Sequence, residues 1–205
     1  MKVKDRAKPK LPPVEPGVYI AVCVHSIDLG EQLCEYKDKS SSYNNQVQLV
    51  FELIGETIEI DGKQEPRTLS RTLNFTQSKN GGLRKFVQSW LGKTFSDEAF
   101  AEFDTNDLVG LPAQLSVILN ETGEYANIDT IMQLPKGMQA PAATLPLIRF
   151  DMEPWNDEAF AQLPEWAQEK VKKSTQYQKL HVPTQTVDVN LGGAQGQEQR
   201  EENPI

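Results

Sequence analysis

A chain of 205 residues with a formal net charge of -8 has room for one hydrophobic core with appendages, and not for two domains of ordinary size. Apolar residues are 38% of it and its mean hydropathy is -0.51, values that leave part of the chain outside any packed core. No stretch offers the roughly 20 apolar residues of a membrane-spanning helix, and neither Cys23 and Cys34 nor His25 and His181 fall in a metal-ligand spacing, so the sequence argues against a membrane protein and a zinc protein. Two thiols without a secretory signal fit unpaired cysteines in a cytoplasm.

In chain order, residues 1–16 carry five basic residues and four prolines and read as a disordered basic arm. GVYIAVCVHSI (Gly17 to Ile27) alternates with the period of a half-buried strand. The polar segment from Asp28 to Asn45 reads as a long loop, and NQVQLVFELI as a second strand with Val47, Leu49, Phe51 and Leu53 on one face. Asp61-Gly62 signals a tight turn into a third strand, PRTLSRTLNFT, where the shared parity of leucines and arginines suggests a bulge and leaves the arginine faces open. GGLRKFVQSWLG then changes to helical spacing, with Ser78 or Asn80 as N-cap candidate and Gly92 as stop. A second short helix starts at Ser96.

Period two returns in GLPAQLSVILN and EYANIDTIMQL, a hairpin of strands four and five. The proline-rich segment after them reads as irregular, and NDEAFAQLPEWAQEKVKKSTQY as a helical pair capped by Asn156, with Phe160, Leu163, Trp166 and Val171 facing the core. From about Thr184 no apolar face remains, and residues 184–205 read as a disordered acidic tail. Order and spacing predict a mainly β fold: a five-stranded OB-fold Greek-key barrel over 17–134, a helical insertion between strands 3 and 4, and a C-terminal helical extension over 135–183.

One segment stands out. Pro66 to Ser96 runs for 31 residues without Asp or Glu and holds Arg67, Arg71, Lys79, Arg84, Lys85 and Lys93, with Phe75, Phe86 and Trp90 among them. If strand three and the following helix each present two or three of these cations, they form a groove wall for a phosphate backbone with a ring such as Phe75 as stacking platform. The other reading makes Phe86 and Trp90 helix core and Arg84 and Lys85 a solvated face. The first loop adds Tyr36, Lys37, Lys39 and Tyr43, which either close over a bound strand or pack back on their own barrel. Against nucleic acid stands the charge of Gly17 to Leu134, with 9 basic and 17 acidic residues. Binding must then rely on segregated charge.

There is no nucleophile elbow, no phosphate-cradling glycine loop and no His near a Ser or Cys with a third partner, so the sequence points away from an enzyme and calls for no cofactor. The C-terminal GGAQGQEQREENPI resembles the tail of bacterial single-stranded DNA-binding proteins. That likeness implies docking on replication or recombination proteins through Glu201, Glu202, Pro204 and Ile205, although Ile205 stands where those tails carry an aromatic residue. A plain solubilising tail is the alternative.

More widely, SIDLG (Ser26 to Gly30), LVFELIGE (Leu49 to Glu56), LRKFVQSWLGKTFSDEAFAEFD (Leu83 to Asp104), LVGLPAQLSVI (Leu108 to Ile118), YANIDTIMQLPKGM (Tyr125 to Met138) and LPEWAQEKVKKSTQY (Leu163 to Tyr177) resemble tailed-bacteriophage single-stranded DNA-binding proteins encoded in replication and recombination regions. The resemblance implies an OB-fold, a host-cell cytoplasmic location and coating of single-stranded DNA with little sequence preference. Several copies would multiply weak strand contacts by avidity. The expectation of another class is an OB-type adaptor or inhibitor that binds a host replication or defence protein through its acidic surface. Oligosaccharide binding finds little support, because the tryptophans it would use are expected inside helical cores.

Overall fold

The computed structural model describes residues 11–35, 40–139 and 142–181. The chain forms β1 (Gly17–Glu35), β2 (Ser41–Ile60), β3 (Lys63–Asn74), α1 (Gly82–Leu91), α2 (Asp97–Ala101), a 3-10 turn at Thr105–Leu108, β4 (Pro112–Leu119), β5 (Ala126–Met132), β6 (Ile148–Phe150), α3 (Asp157–Ala161), α4 (Glu165–Val171) and α5 (Thr175–His181). The mainly β expectation holds. Five strands form one antiparallel path in the order β3-β2-β1-β4-β5, and β6 adds to β1 in parallel.

Local sequence explains most of these elements. Asp61 and Gly62 both adopt positive φ, 52° and 78°, the requirement of a two-residue hairpin turn whose twist matches its strands. Gly92 ends α1 at φ 60°. The Ser96 hydroxyl accepts from Ala99 N at 3.2 Å and the Asn156 carbonyl from Ala159 N at 2.9 Å, so the two DEAF segments are two capped helix starts. Gly81 is the N-cap of α1, without a side-chain cap bond, in place of Ser78 or Asn80.

Three features differ from the sequence reading. First, most of the polar segment after Ile27 is strand: β1 pairs with β2 out to Glu35–Ser41, with a register shift between Asp28 and Gly30. Its residues are hydrophilic because this outer half of the hairpin carries no two-sided core, not because it is a loop. Second, β3 alternates regularly. Arg67, Leu69, Arg71 and Leu73 are the less exposed residues while Thr68, Ser70, Thr72 and Asn74 face out, and the irregularity lies in β2 between Glu52 and Thr57. Third, the proline-rich segment contains β6, which pairs with His25–Ile27.

The main core lies between the inner face of this curved sheet and α1, where Phe51, Phe86 and Trp90 meet edge to face with centroids 5.3–6.4 Å apart. In the described residues no backbone ladder joins β3 to β5, so the hydrogen-bonded path is open where a closed barrel was expected. Side chains span the gap. Arg71 Nη1 donates to Ile128 O of β5, and Ser89 Oγ of α1 donates to Ile131 O at 2.6 Å.

A second core forms on the opposite face of β1, from Ile27 and Leu29 with Phe150, Met152, Leu163, Ala167 and Val171. The C-terminal extension packs on the sheet, with Leu163 and Val171 buried and Phe160 against them. Trp166, read from the sequence as facing the core, is 41% exposed. Within the expected basic arm, Val14 is buried in the main core and Arg67 donates to Pro12 O. Residues 12–14 therefore belong to the fold. Residues 1–10 and the tail lie outside the described residues.

Candidate nucleic-acid interface

The six cations of the acid-free window do not share one surface. Arg84 is 4% exposed; its Nη1 donates to Asp97 Oδ1 at 2.7 Å, its Nη2 donates to Phe95 O, and its guanidinium lies over the Phe100 ring. Arg71 donates to Ile128 O and lies 5.4 Å from the Phe86 ring centre, and Arg67 serves Pro12 O. All three arginines join parts of the fold, because a buried or half-buried guanidinium is stable only when its fork meets acceptors. Lys79 is exposed and pairs with Asp97 at 3.0 Å. Lys85 is exposed on α1, and Lys93 lies 4.7 Å from the Phe95 ring centre.

The aromatic residues divide in the same way. Phe86 and Trp90 are core, as the second reading of the window had it, while Phe75 is 50% exposed just beyond β3. Phe75 N donates to Asn45 O at 2.7 Å, which aligns the ring with the β2 positions Asn45 and, two residues further out, the exposed Tyr43. Alternation then sets both rings on the same side of the β2–β3 ribbon, that of Val47 and Leu73 and opposite Asn74. Tyr36, Lys37 and Lys39, and the tail residues Glu201, Glu202, Pro204 and Ile205, lie outside the described residues.

The two sides of this ribbon differ in charge. The outward row of β3, Thr68, Ser70, Thr72 and Asn74, is exposed and carries no charge. Its neighbours on β2 are amides: Gln48 Nε2 donates to Ser70 Oγ at 2.8 Å and Gln46 Nε2 to Asn74 Oδ1 at 3.2 Å. The one acid on that part of β2, Glu52, is 3% exposed and accepts from Thr144 N, Thr144 Oγ1 and Leu145 N. Its charge is thereby removed from the surface.

The other surface is a groove at the end of the sheet, lined by Phe75 together with Asp28, Glu102, Asp104, Asp151 and Glu153. Burial pushes the Asp28 carboxyl above the usual carboxylate range, against the pull of the Gly30 and Met152 amides. A phosphate would be repelled there. Among the described residues no group of three or more His, Cys, Asp or Glu is arranged to hold a metal ion.

No family model, no curated protein and no solved structure matches this chain.

The β3 row carries neither charge nor rings, the features by which a sequence marks a nucleic-acid surface. Its signal was the alternation T-S-T-N at residues 68, 70, 72 and 74. Among the described residues no helix is long and apolar enough to cross a membrane.

Proposed function

We propose that this chain is a non-enzymatic, OB-type single-stranded DNA-binding protein, in line with the phage family it resembles. A strand would run along the outward face of β3, on the side of the ribbon opposite the Phe75 and Tyr43 rings. The strand order β3-β2-β1-β4-β5 is that of an OB barrel unrolled between β3 and β5, and α1 enters between β3 and β4 as that fold requires. The observation that carries the reading is the exposed, uncharged row Thr68, Ser70, Thr72 and Asn74 on the outward face of β3. Hydroxyls and amides meet base edges and sugars without repelling phosphate.

With Arg67, Arg71 and Arg84 held by the fold, the exposed window lysines Lys79, Lys85 and Lys93 remain for phosphates, Lys79 by exchanging its surface pair with Asp97. The affinity then falls with salt at a log-log slope of about -2, against about -4 if all six cations took part. Fluorescence anisotropy of labelled oligo-dT across a salt series, with a duplex of equal length beside it, tests this. Salt-sensitive binding of the single strand alone supports the reading, and absence of binding at low salt rejects it.

A second reading has a specific observation behind it. The acidic groove beside Phe75 suits a basic protein surface, as in an adaptor or inhibitor directed at a host replication or defence protein. Capture of one defined partner that resists nuclease and is lost in Glu102→Gln/Asp104→Asn would favour it.

A further inference from the structure

α4 borders the β3 row. Lys170 Nζ donates to Gln48 Oε1 at 2.9 Å, and Gln48 Nε2 donates in turn to Ser70 Oγ at 2.8 Å, so a chain of polar contacts leads from α4 across β2 to the outward face of β3. Trp166, one helical turn before Lys170, has its ring centre 5.8 Å from the same ammonium.

We propose that Trp166 and Lys170 continue the β3 track onto the C-terminal extension, the indole stacking on a base and the ammonium meeting the adjoining phosphate of a single strand. This rests on the single-strand reading above and gives it a second contact region, contributed by the helices that also cover β1.

Both side chains are in states that a ligand would complete. Lys170 is half-buried, yet among the described residues its hydrogen-bond partner is a neutral amide and it forms no ion pair. Burial holds its pKa below the ordinary lysine value, the mark of an ammonium taken from water without an anion to offset the cost. Lys172, on the neighbouring turn, is instead paired with Glu169 at 3.2 Å.

Trp90 is enclosed in the main core and Trp155 lies among Phe150, Phe160, Tyr177 and His181. Trp166 packs against no other ring among the described residues and is 41% exposed. A cation beside an open indole, at the edge of an uncharged hydroxyl row, matches the alternation of phosphate and base along a flexible strand. A neutral sugar would leave the ammonium unused, and a duplex would not present a base face.

The test compares oligo-dT affinity and salt slope for wild type, Trp166→Ala, Lys170→Gln and Lys172→Ala, with thermal unfolding of each. Trp166→Ala should weaken binding about tenfold, Lys170→Gln should lower the salt slope by about 0.7, and Lys172→Ala should change neither. If Trp166→Ala fails to fold, saturating wild type and Trp166→Phe with oligo-dT decides the matter. The wild-type indole fluorescence should be quenched, and the quench should be lost in Trp166→Phe. Wild type that binds while Trp166→Ala and Lys170→Gln bind equally well, or a quench that survives Trp166→Phe, overturns this proposal and leaves the single-strand reading standing. Wild type that does not bind overturns both.

Discussion

Arg71 on β3 donates from Nη1 to the main-chain carbonyl of Ile128 on β5, so a side chain joins two strand edges that no backbone ladder joins in the described sheet. The same guanidinium covers the Phe86 ring of the core. Its role is architectural, and Arg71→Ala should cost about 1–3 kcal/mol in urea unfolding by leaving the Ile128 carbonyl without its donor. Arg71→Lys should recover only part of this, since an ammonium lacks the planar fork. Once folded, the Ala variant should bind oligo-dT as wild type does; weakened binding at unchanged stability would return Arg71 to the surface track.

His25 on β1 is buried, and neither ring nitrogen has a partner in hydrogen-bonding geometry. Burial lowers its pKa from 6.5, with the Pro146 carbonyl pulling weakly the other way. The unfolded chain therefore takes the proton first. The stability that neutral His25 supports is present above pH 6.5 and is lost as pH falls below it towards the folded-state value. Denaturant unfolding at pH 7.5 and at pH 5.5 should show a loss of stability in wild type that is smaller in His25→Leu. Equal losses in the two proteins would assign the pH dependence to other groups.

Glu52 on β2 receives Thr144 N, Thr144 Oγ1 and Leu145 N, all at 2.8–3.0 Å. Three charge-assisted bonds on one buried carboxylate fix the segment that leads into β6. Glu52→Ala should lower stability by about 3 kcal/mol and move the first site of limited proteolysis to the neighbourhood of Thr144. An unchanged cleavage pattern would show that β6 and α3–α5 hold that segment unaided.

The two thiols should react at different rates. Burial pushes the Cys23 thiol up to about 12, whereas Cys34 is half-buried near the outer end of β1. A thiol reagent at pH 8 should label Cys34 in the native protein and Cys23 only after denaturant is added. Labelling of both at one rate would mean that β1 opens readily.

The parts legible in the sequence were those set by neighbours in the chain. The Asp61-Gly62 turn, the Ser96 and Asn156 caps, the stop at Gly92 and the apolar face of α1 each follow from residues a few positions apart. What the sequence left open depends on distant partners. Arg67, Arg71 and Arg84 looked like a phosphate wall because Pro12 O, Ile128 O and Phe95 O, their acceptors, are backbone atoms that leave no mark in a residue pattern. The cover over Glu52 and Gln48, polar residues opposite the apolar face of β2, comes from segments about 90 to 120 residues further on. Trp166 sits at helical spacing with buried residues, yet its ring emerges beside Lys170.

The account turns on which face a single strand takes, and photo-crosslinking answers that most directly. Oligo-dT bearing 5-iodo-deoxyuridine, irradiated on the full-length protein and mapped to the residue by peptide mass spectrometry, should attach within β3 residues 68–74 and at Trp166. Attachment confined to the acidic groove residues 101–105 and 151–153, or no attachment under conditions where a known single-strand binder is labelled, would contradict it.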